Sequence, residues 1–288
     1  AKSATYEVAG ARKRKAEIRG DEQPLVLKIS DNGVLFRSTY DGQIIEFTPE
    51  TSMEFQRIIG ADLMMAFDEC TYYPATHEYA EKAMRRTHEW VKRCIEYKKK
   101  TPFARATCQQ FLYGIIQGGT YEDLRVASAK FISEQDVPGV AIGGVSVGES
   151  KEEMRSQVAW IAPYLPADKP VHLLGVGHVD DIIDLVKHGI DTFDCVEPTR
   201  LARMGTIYQY LKSSITQIDI NKSMYKADLS PVDEDCNCYV CQNYSKSYLY
   251  HLFKQKEILA YILATYHNLY VMEKLMDKIR LFIASDKV

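Results

Sequence analysis

Long apolar runs are what this sequence has least of. No stretch approaches the ~20 consecutive apolar residues that a membrane-spanning helix needs, so the sequence offers no candidate for such a helix. The opening segment, Ala1 to Arg19, is polar and basic and lacks the apolar core of a secretory signal. A disulfide framework is missing as well. Four of the seven cysteines, Cys70, Cys94, Cys108 and Cys195, are scattered along the chain, a pattern that fits a reducing compartment, with cytoplasm as the default. Strong charge of one sign is also absent. A net charge of −3 argues against indiscriminate binding to nucleic acid, although a local basic face fits within a near-neutral total. What the chain does have is bulk. With 288 residues and 46% hydrophobic content it buries a large core, enough for one α/β barrel with an appendage or for two modest domains.

The other three cysteines are concentrated. Cys236, Cys238 and Cys241 fall within six residues, and His267 follows on a later helical segment. Three thiolates and one imidazole make a closed tetrahedral set suited to a structural zinc ion. Three unrelated thiols in a loop are the plainer alternative. A catalytic zinc would keep one position open for water, and four protein ligands leave none. The cluster therefore reads as a staple, and the chemistry has to be sought elsewhere.

Along the chain a short apolar run, a polar or glycine-rich corner and a longer amphipathic segment recur, the rhythm of a parallel βα sheet. A hairpin is predicted first, Val34 to Arg37 and Ile44 to Phe47, turned by Asp41-Gly42. A helix follows, capped by Thr48, with Pro49 at its first position, Phe55, Ile58 and Ile59 on one face, and Gly60 as its stop. Five βα runs come next. Leu63 to Phe67 ends in Asp68-Glu69-Cys70, Phe111 to Ile116 in Gln117-Gly118-Gly119, and Gly139 to Ile142 in Gly143-Gly144. His172 to Val176 ends in Gly177-His178, and Thr192-Phe193 runs into Asp194. The segments between them, about 76–98, 121–134, 151–162 and 180–187, carry helical spacing of apolar residues.

Every polar corner sits at the carboxyl end of its strand, and in a parallel barrel those ends share the rim that hosts active sites. Asp68 and Asp194 each follow an apolar strand, where a carboxylate is costly unless paired or used. A helix cap for Asp68 and an ion pair with Arg200 for Asp194 are the structural alternatives. Gln117 offers an amide beside two glycines, and Gly143-Gly144 offers backbone N–H groups to a carbonyl oxygen. Arg200 and Arg203 place two guanidinium groups just beyond Asp194, suited to phosphate, with a solvated turn as the alternative for Arg203.

The combination of Phe193-Asp-Cys-Val-Glu-Pro-Thr-Arg200, Ala66-Phe-Asp-Glu-Cys70, Ile116-Gln-Gly-Gly119, Ala141-Ile-Gly-Gly144 and the cysteine cluster with His267-Asn268 resembles the tRNA-guanine transglycosylase, or queuine tRNA-ribosyltransferase, family from about Gly33 to Arg280. The resemblance implies a (β/α)₈ TIM-type barrel with a zinc-binding subdomain, and exchange of the wobble guanine of tRNAs with a GUN anticodon for a 7-deazaguanine. It implies that Asp194 is the nucleophile on ribose C1′ and that Asp68, Gln117 and the Gly144 backbone hold the base, with Cys70 and Leu174 lining the same pocket. Val147 matches the bulkier residue of bacterial-type pockets that take preQ1 instead of queuine, and Glu149 is placed to meet an aminomethyl group. Arg200 and Arg203 match residues near the tRNA backbone. The resemblance also implies a homodimer, with Tyr244, Tyr248 and His251 on the contact helix.

The amino-terminal part departs from the family pattern. A Thr-Asp-Ser-Gly-Gly-Tyr-Gln-Val motif, whose Asp is the general acid/base, has as its nearest counterpart Lys2-Ser3-Ala4-Thr5-Tyr6-Glu7-Val8. The expected organisation is a basic arm or remnant over 1–32, the barrel over 33–204 with part of the C-terminal helices, and the zinc-binding subdomain with C-terminal helices over 205–288. A tRNA-binding subunit or inactive fragment without exchange activity is the alternative function. Glu197 departs from the apolar residue usual at its position, either as a surface change or as added negative charge beside the nucleophile.

Overall fold

A computed structural model describes residues 25–101, 109–211 and 214–285. The expectations for the basic arm up to residue 24 and for Cys108 lie outside the described residues. Two compact units are present. One ends at Val176 and takes in His188–Asp194; the other holds Gly177–Lys187 and continues from Cys195.

In the first unit, β1 (Val26–Ile29), β2 (Val34–Arg37) and β3 (Ile44–Phe47) form an antiparallel sheet in that order. The hairpin between β2 and β3 is the one the sequence predicts, and Gly42 supplies the left-handed corner with φ +74°. Helix α1 (Pro49–Ile59) begins where expected. Thr48 Oγ1 accepts the Thr51 N–H at 3.3 Å, and Gly60 closes the helix in the left-handed region. Such a cap is worth about 1 kcal/mol. The apolar face read from the sequence is largely exposed. Pro49, Ser52 and Met53 turn inward, whereas Ile58 and Ile59 are exposed, and Phe55, half-exposed, leans on Phe47 with ring centroids 5.7 Å apart. The helix docks through its amino-terminal half, so its apolar stripe does not coincide with the packed side.

The five βα runs become one parallel sheet in sequence order, β4 (Leu63–Met65), β5 (Phe111–Ile116), β6 (Gly139–Ile142), β7 (Val171–Leu173) and β8 (Thr192–Phe193). It is a curled half-barrel, the α/β architecture expected, with five parallel strands among the described residues. The helices between them, α2 (His77–Lys100), α3 (Glu122–Ser133) and α4 (Lys151–Ile161), lie within two residues of the predicted spans.

Side-chain parity separates the two faces of this sheet. A Cβ at Gly114 would press on Ile132 of α3 at 2.9 Å, so Leu112, Gly114 and Ile116 face the helices. Tyr113, Ile115 and Ala141 face the other way, packed with Met65 and Leu174. Gly139 exists to make room there, since a Cβ would stand 2.4 Å from the Tyr113 ring. Continuing the alternation along β7 and β8 puts His172, Leu174, Thr192 and Asp194 on the helix-free face.

The second unit contains α5 (Val179–Leu185), α6 (Glu197–Arg203), the antiparallel hairpin β9 (Thr206–Leu211) and β10 (Ser214–Asp219), α7 (Tyr239–Asn243), α8 (Lys246–Gln255) and the long α9 (Ile258–Ala284). Its core joins Ala202, Ile207, Ile220, Val232, Cys238, Leu249 and Leu263. No helix among the described residues is long and apolar enough to cross a membrane.

Candidate active site and metal centre

At the carboxyl ends of β4, β5 and β6 three polar corners meet. Gln117, 1% exposed, donates from Nε2 to Asp68 Oδ2 at 2.7 Å. Burial is the largest influence on that carboxyl and pushes it up to about 6, against the smaller opposing effect of the Gln117 hydrogen bond. Asp68 is therefore not a helix cap, a task that Thr76 Oγ1 performs for α2. The backbone N–H of Gln117 donates to Ser128 Oγ at 3.1 Å, so the residue is anchored at both ends. Its Oε1 is buried without a hydrogen-bond partner. Gly144, with φ +65°, lies directly beside it, and a Cβ there would stand 2.2 Å from that oxygen. Both glycines of the corner lack side chains, and this lets the Gln117 amide pack directly against their backbone.

What holds the corners is a residue that sequence reasoning missed. Arg125 is fully buried on α3, and its guanidinium donates to Gly119 O (2.7 Å), Gly143 O (2.6 Å), Gly144 O (2.6 Å) and Gln157 Oε1 (2.9 Å). Burial lowers its pKa to about 10, so it remains a cation at neutral pH. One planar group thus ties the corner after β5 to the corner after β6. The helical spacing of Leu124, Ser128, Ala129 and Ile132 places Arg125 on the buried face, and that spacing was the available signal.

Cys70 follows Asp68 in the same corner, with Sγ 3.8 Å from Thr71 O. The loop after Gly144 is held by its own acid. Glu149 accepts from the N–H groups of Ser146, Val147 (2.9 Å) and Gly148 (3.0 Å). Val147 and Gly144 line a small cavity together with Thr71, Tyr72, Tyr73, Ala75, Gly119, Thr120 and Tyr121.

Asp194 lies at the end of β8, with its side chain 59% exposed. Its Oδ1 accepts from His172 Nε2 at 3.1 Å and from the Gly175 N–H at 2.9 Å. The hydrogen bond from His172 is the main reason its pKa is lowered, so the carboxylate is ionised at neutral pH. His172 and Gly175 were not singled out from sequence; the parity of β7 with β8 brings them to Asp194. Leu174, whose N–H donates to Ile142 O at 3.1 Å, sits between the two groups of polar residues along the rim. Arg200 and Arg203 occupy the last turn of α6, both exposed, and no ion pair engages either among the described residues. Glu197, at the start of α6, accepts from Tyr208 OH at 3.3 Å.

In the second unit Cys236, Cys238, Cys241 and His267 converge. Their donor atoms all lie within 4.8 Å of one another, and the three sulfurs are 4.0, 3.3 and 3.4 Å from His267 Nδ1. Those spacings match the edges of a tetrahedron with metal–sulfur bonds of ~2.3 Å and a metal–nitrogen bond of ~2.0 Å. His267 Nε2 donates to Tyr208 O at 2.8 Å, which fixes the tautomer and leaves Nδ1 unprotonated toward the sulfurs. The neighbouring Asn268 accepts the Tyr208 N–H and donates to Pro198 O and Thr206 O. The set fits a metal ion and has no open protein position.

Comparison with known proteins gives the same direction throughout. The family model described as queuine tRNA-ribosyltransferase matches residues 18–288. A queuine tRNA-ribosyltransferase of Caldanaerobacter subterraneus subsp. tengcongensis is 48% identical over 261 residues, 91% of this chain and 67% of that protein. Proteins of the same name from Natranaerobius thermophilus (47% identical; 90% of this chain and 67% of the relative) and Bacillus licheniformis (44%; 91% and 66%) match to the same extent. The chain thus spans about two thirds of the length of these relatives.

Proposed function

The chain belongs to the queuine tRNA-ribosyltransferase family, and on that premise we propose that it is a pentosyltransferase that exchanges the wobble guanine of a tRNA with a GUN anticodon for a 7-deazaguanine base. The observation that carries the reading is Asp194, an ionised and accessible carboxylate at the end of a barrel strand, with one oxygen held by two donors. An Asp194 oxygen forms a bond to ribose C1′ while the C1′–N9 bond breaks, and the departing guanine keeps that electron pair and takes up a proton. The incoming base then forms its own bond from N9 to C1′, loses the proton that N9 carried, and displaces the carboxylate. Two inversions retain the configuration at C1′, and the proton gained by one base is the proton lost by the other.

Asp68 accepts from the N–H groups of the base edge and Gln117 completes that edge, a role its buried, unpartnered Oε1 supports. The Gly144 backbone meets a carbonyl oxygen of the base. Cys70 and Leu174 line the pocket. Val147, beside Gly144 in a small cavity, favours a base of the preQ1 type over queuine, although one pocket side chain shifts selectivity by only ~1–3 kcal/mol. An aminomethyl group reaching Glu149 meets a carboxylate already held by three N–H groups. Arg200 and Arg203 contact tRNA phosphate.

Cys236, Cys238, Cys241 and His267 would hold a structural zinc joining the loop to α9, and when bound it would brace this part of the fold and supply no chemistry to the reaction. Ile258, Ile262, Tyr266 and Leu269 form an exposed apolar face of α9 near the turn-to-turn spacing, flanked by Tyr239 and Tyr248. That face, with Tyr244 and His251, is the contact of a homodimer, and along the sequence the zinc-binding part begins near residues 204–205. The cytoplasm is the compartment. Incorporation of labelled guanine into such a tRNA, lost in Asp194→Asn, tests the function. A sedimentation experiment that finds only monomer would remove the dimer.

A further inference from the structure

His172 is the one imidazole on the helix-free face of the parallel sheet among the described residues, and its two nitrogens are both engaged. Nδ1 lies 2.8 Å from Thr192 Oγ1 and Nε2 lies 3.1 Å from Asp194 Oδ1. Thr192 and Asp194 are two residues apart, on the same face of β8, and His172 is the register partner of Thr192 on β7. The ring itself is only 12% exposed, while its two partners are exposed. Asp194 is acceptor-only when ionised, which requires Nε2 to carry a proton; a neutral ring then leaves Nδ1 to accept from the threonine hydroxyl. Thr192 thereby holds the ring in the orientation that serves Asp194.

Both donors to Asp194 bind the same oxygen. His172 Nε2 and the Gly175 N–H converge on Oδ1, and no hydrogen bond reaches Oδ2 among the described residues. We propose that His172, oriented by Thr192, is a positioning residue that pins Oδ1 together with the Gly175 N–H and so assigns Oδ2 as the oxygen that bonds to the ribose. This deepens the proposed function and rests on Asp194 being the nucleophile. Hydrogen bonds to a carboxylate are stronger than those to an ester carbonyl. The pair of donors on Oδ1 therefore stabilises Asp194 more when it is free than when it is bonded to C1′. Their effect falls on the second half of the exchange, when the C1′–Oδ2 bond breaks and negative charge returns to the carboxylate.

Two measurements test the assignment. The first needs no turnover. In the purified chain labelled with ¹⁵N-histidine, with His172 identified by its absence in His172→Gln, a proton is expected on Nε2, with a signal that shifts in Asp194→Asn. An Nδ1–H tautomer, or a signal indifferent to Asp194→Asn, overturns it. The second is kinetic. His172→Leu is expected to lower kcat for exchange by about 10- to 100-fold, with KM for tRNA changed less than about twofold, and to raise the fraction of enzyme held as covalent adduct. His172→Gln, which restores an N–H donor near the place of Nε2, recovers most of that loss. A fall in kcat with less adduct, or a loss that appears in KM alone, overturns the assignment and leaves a merely structural contact. Failure of the underlying reading looks different, because Asp194→Asn would then retain exchange and no adduct would map to Asp194.

Discussion

The rim of the half-barrel and the cysteine cluster each bring together side chains from separate elements of the chain, yet they are held in opposite ways. In the cluster, four donor atoms face inward within 4.8 Å of one another and His267 is locked from behind by Tyr208 O. Nothing is left over for a substrate. At the rim, acceptor capacity is left over by design: Gln117 Oε1 is buried without a partner, Asp68 is raised to about 6 by burial, and Asp194 keeps one oxygen uncommitted. A site that only stabilises closes its valences. A site that binds and reacts keeps some of them open, and something else must then hold its parts in place. Arg125, His172 and Gly175 do that work here.

The comparison breaks most visibly if the cluster is removed. Cys238→Ala is expected to abolish metal binding and unfold the second unit, because structural zinc contributes apparent free energies of about 10–16 kcal/mol in small domains. Metal analysis should give about one zinc per chain before the substitution and a far-UV spectrum should show the loss after it. Arg125→Met comes next. It leaves three glycine carbonyls and Gln157 Oε1 without their donor, a cost of about 3 kcal/mol by denaturant unfolding, with base affinity falling in parallel. A smaller effect of opposite sign sharpens the contrast. Asp68 has its folded-state pKa, about 6, above the ordinary 3.8, so the native state binds that proton more tightly. The resulting stability is present at low pH and is lost as pH rises through about 6. Asp68→Asn is therefore expected to gain about 1–3 kcal/mol of stability at pH 7 while losing base affinity. In the unsubstituted protein, KM for guanine should rise as pH falls below about 6, because the protonated carboxyl accepts fewer hydrogen bonds. Smallest is Thr48→Ala, about 1 kcal/mol in thermal unfolding with no effect on the site.

Much of this was legible in the sequence because it is local. Thr48, Pro49 and Gly60 mark the ends of α1 by capping chemistry, Gly42 marks a hairpin, and the cysteines that make the cluster lie within six residues. The polar corners after β4, β5, β6 and β8 were visible as interruptions of apolar runs. Other features were not. Phe55, Ile58 and Ile59 read as one apolar face of a helix, and the sequence did not tell that this face stays largely exposed, since periodicity states which side of a helix is apolar and not what packs against it. Arg125 reads as one more charge on an amphipathic helix, and only the glycine carbonyls around it reveal why a cation is buried. His172 reads as the first residue of a strand. Its meaning depends on the register of β7 with β8, which no pattern within either strand encodes.

The most direct test of the account is to incubate the purified chain with labelled guanine and a tRNA carrying a GUN anticodon, and to map any covalent tRNA adduct by mass spectrometry. The account predicts incorporation, with the ribose ester on Asp194 and no incorporation or adduct in Asp194→Asn. Incorporation that persists in Asp194→Asn, or tRNA binding with neither incorporation nor adduct, would contradict it; the latter would point to a tRNA-binding subunit without exchange activity.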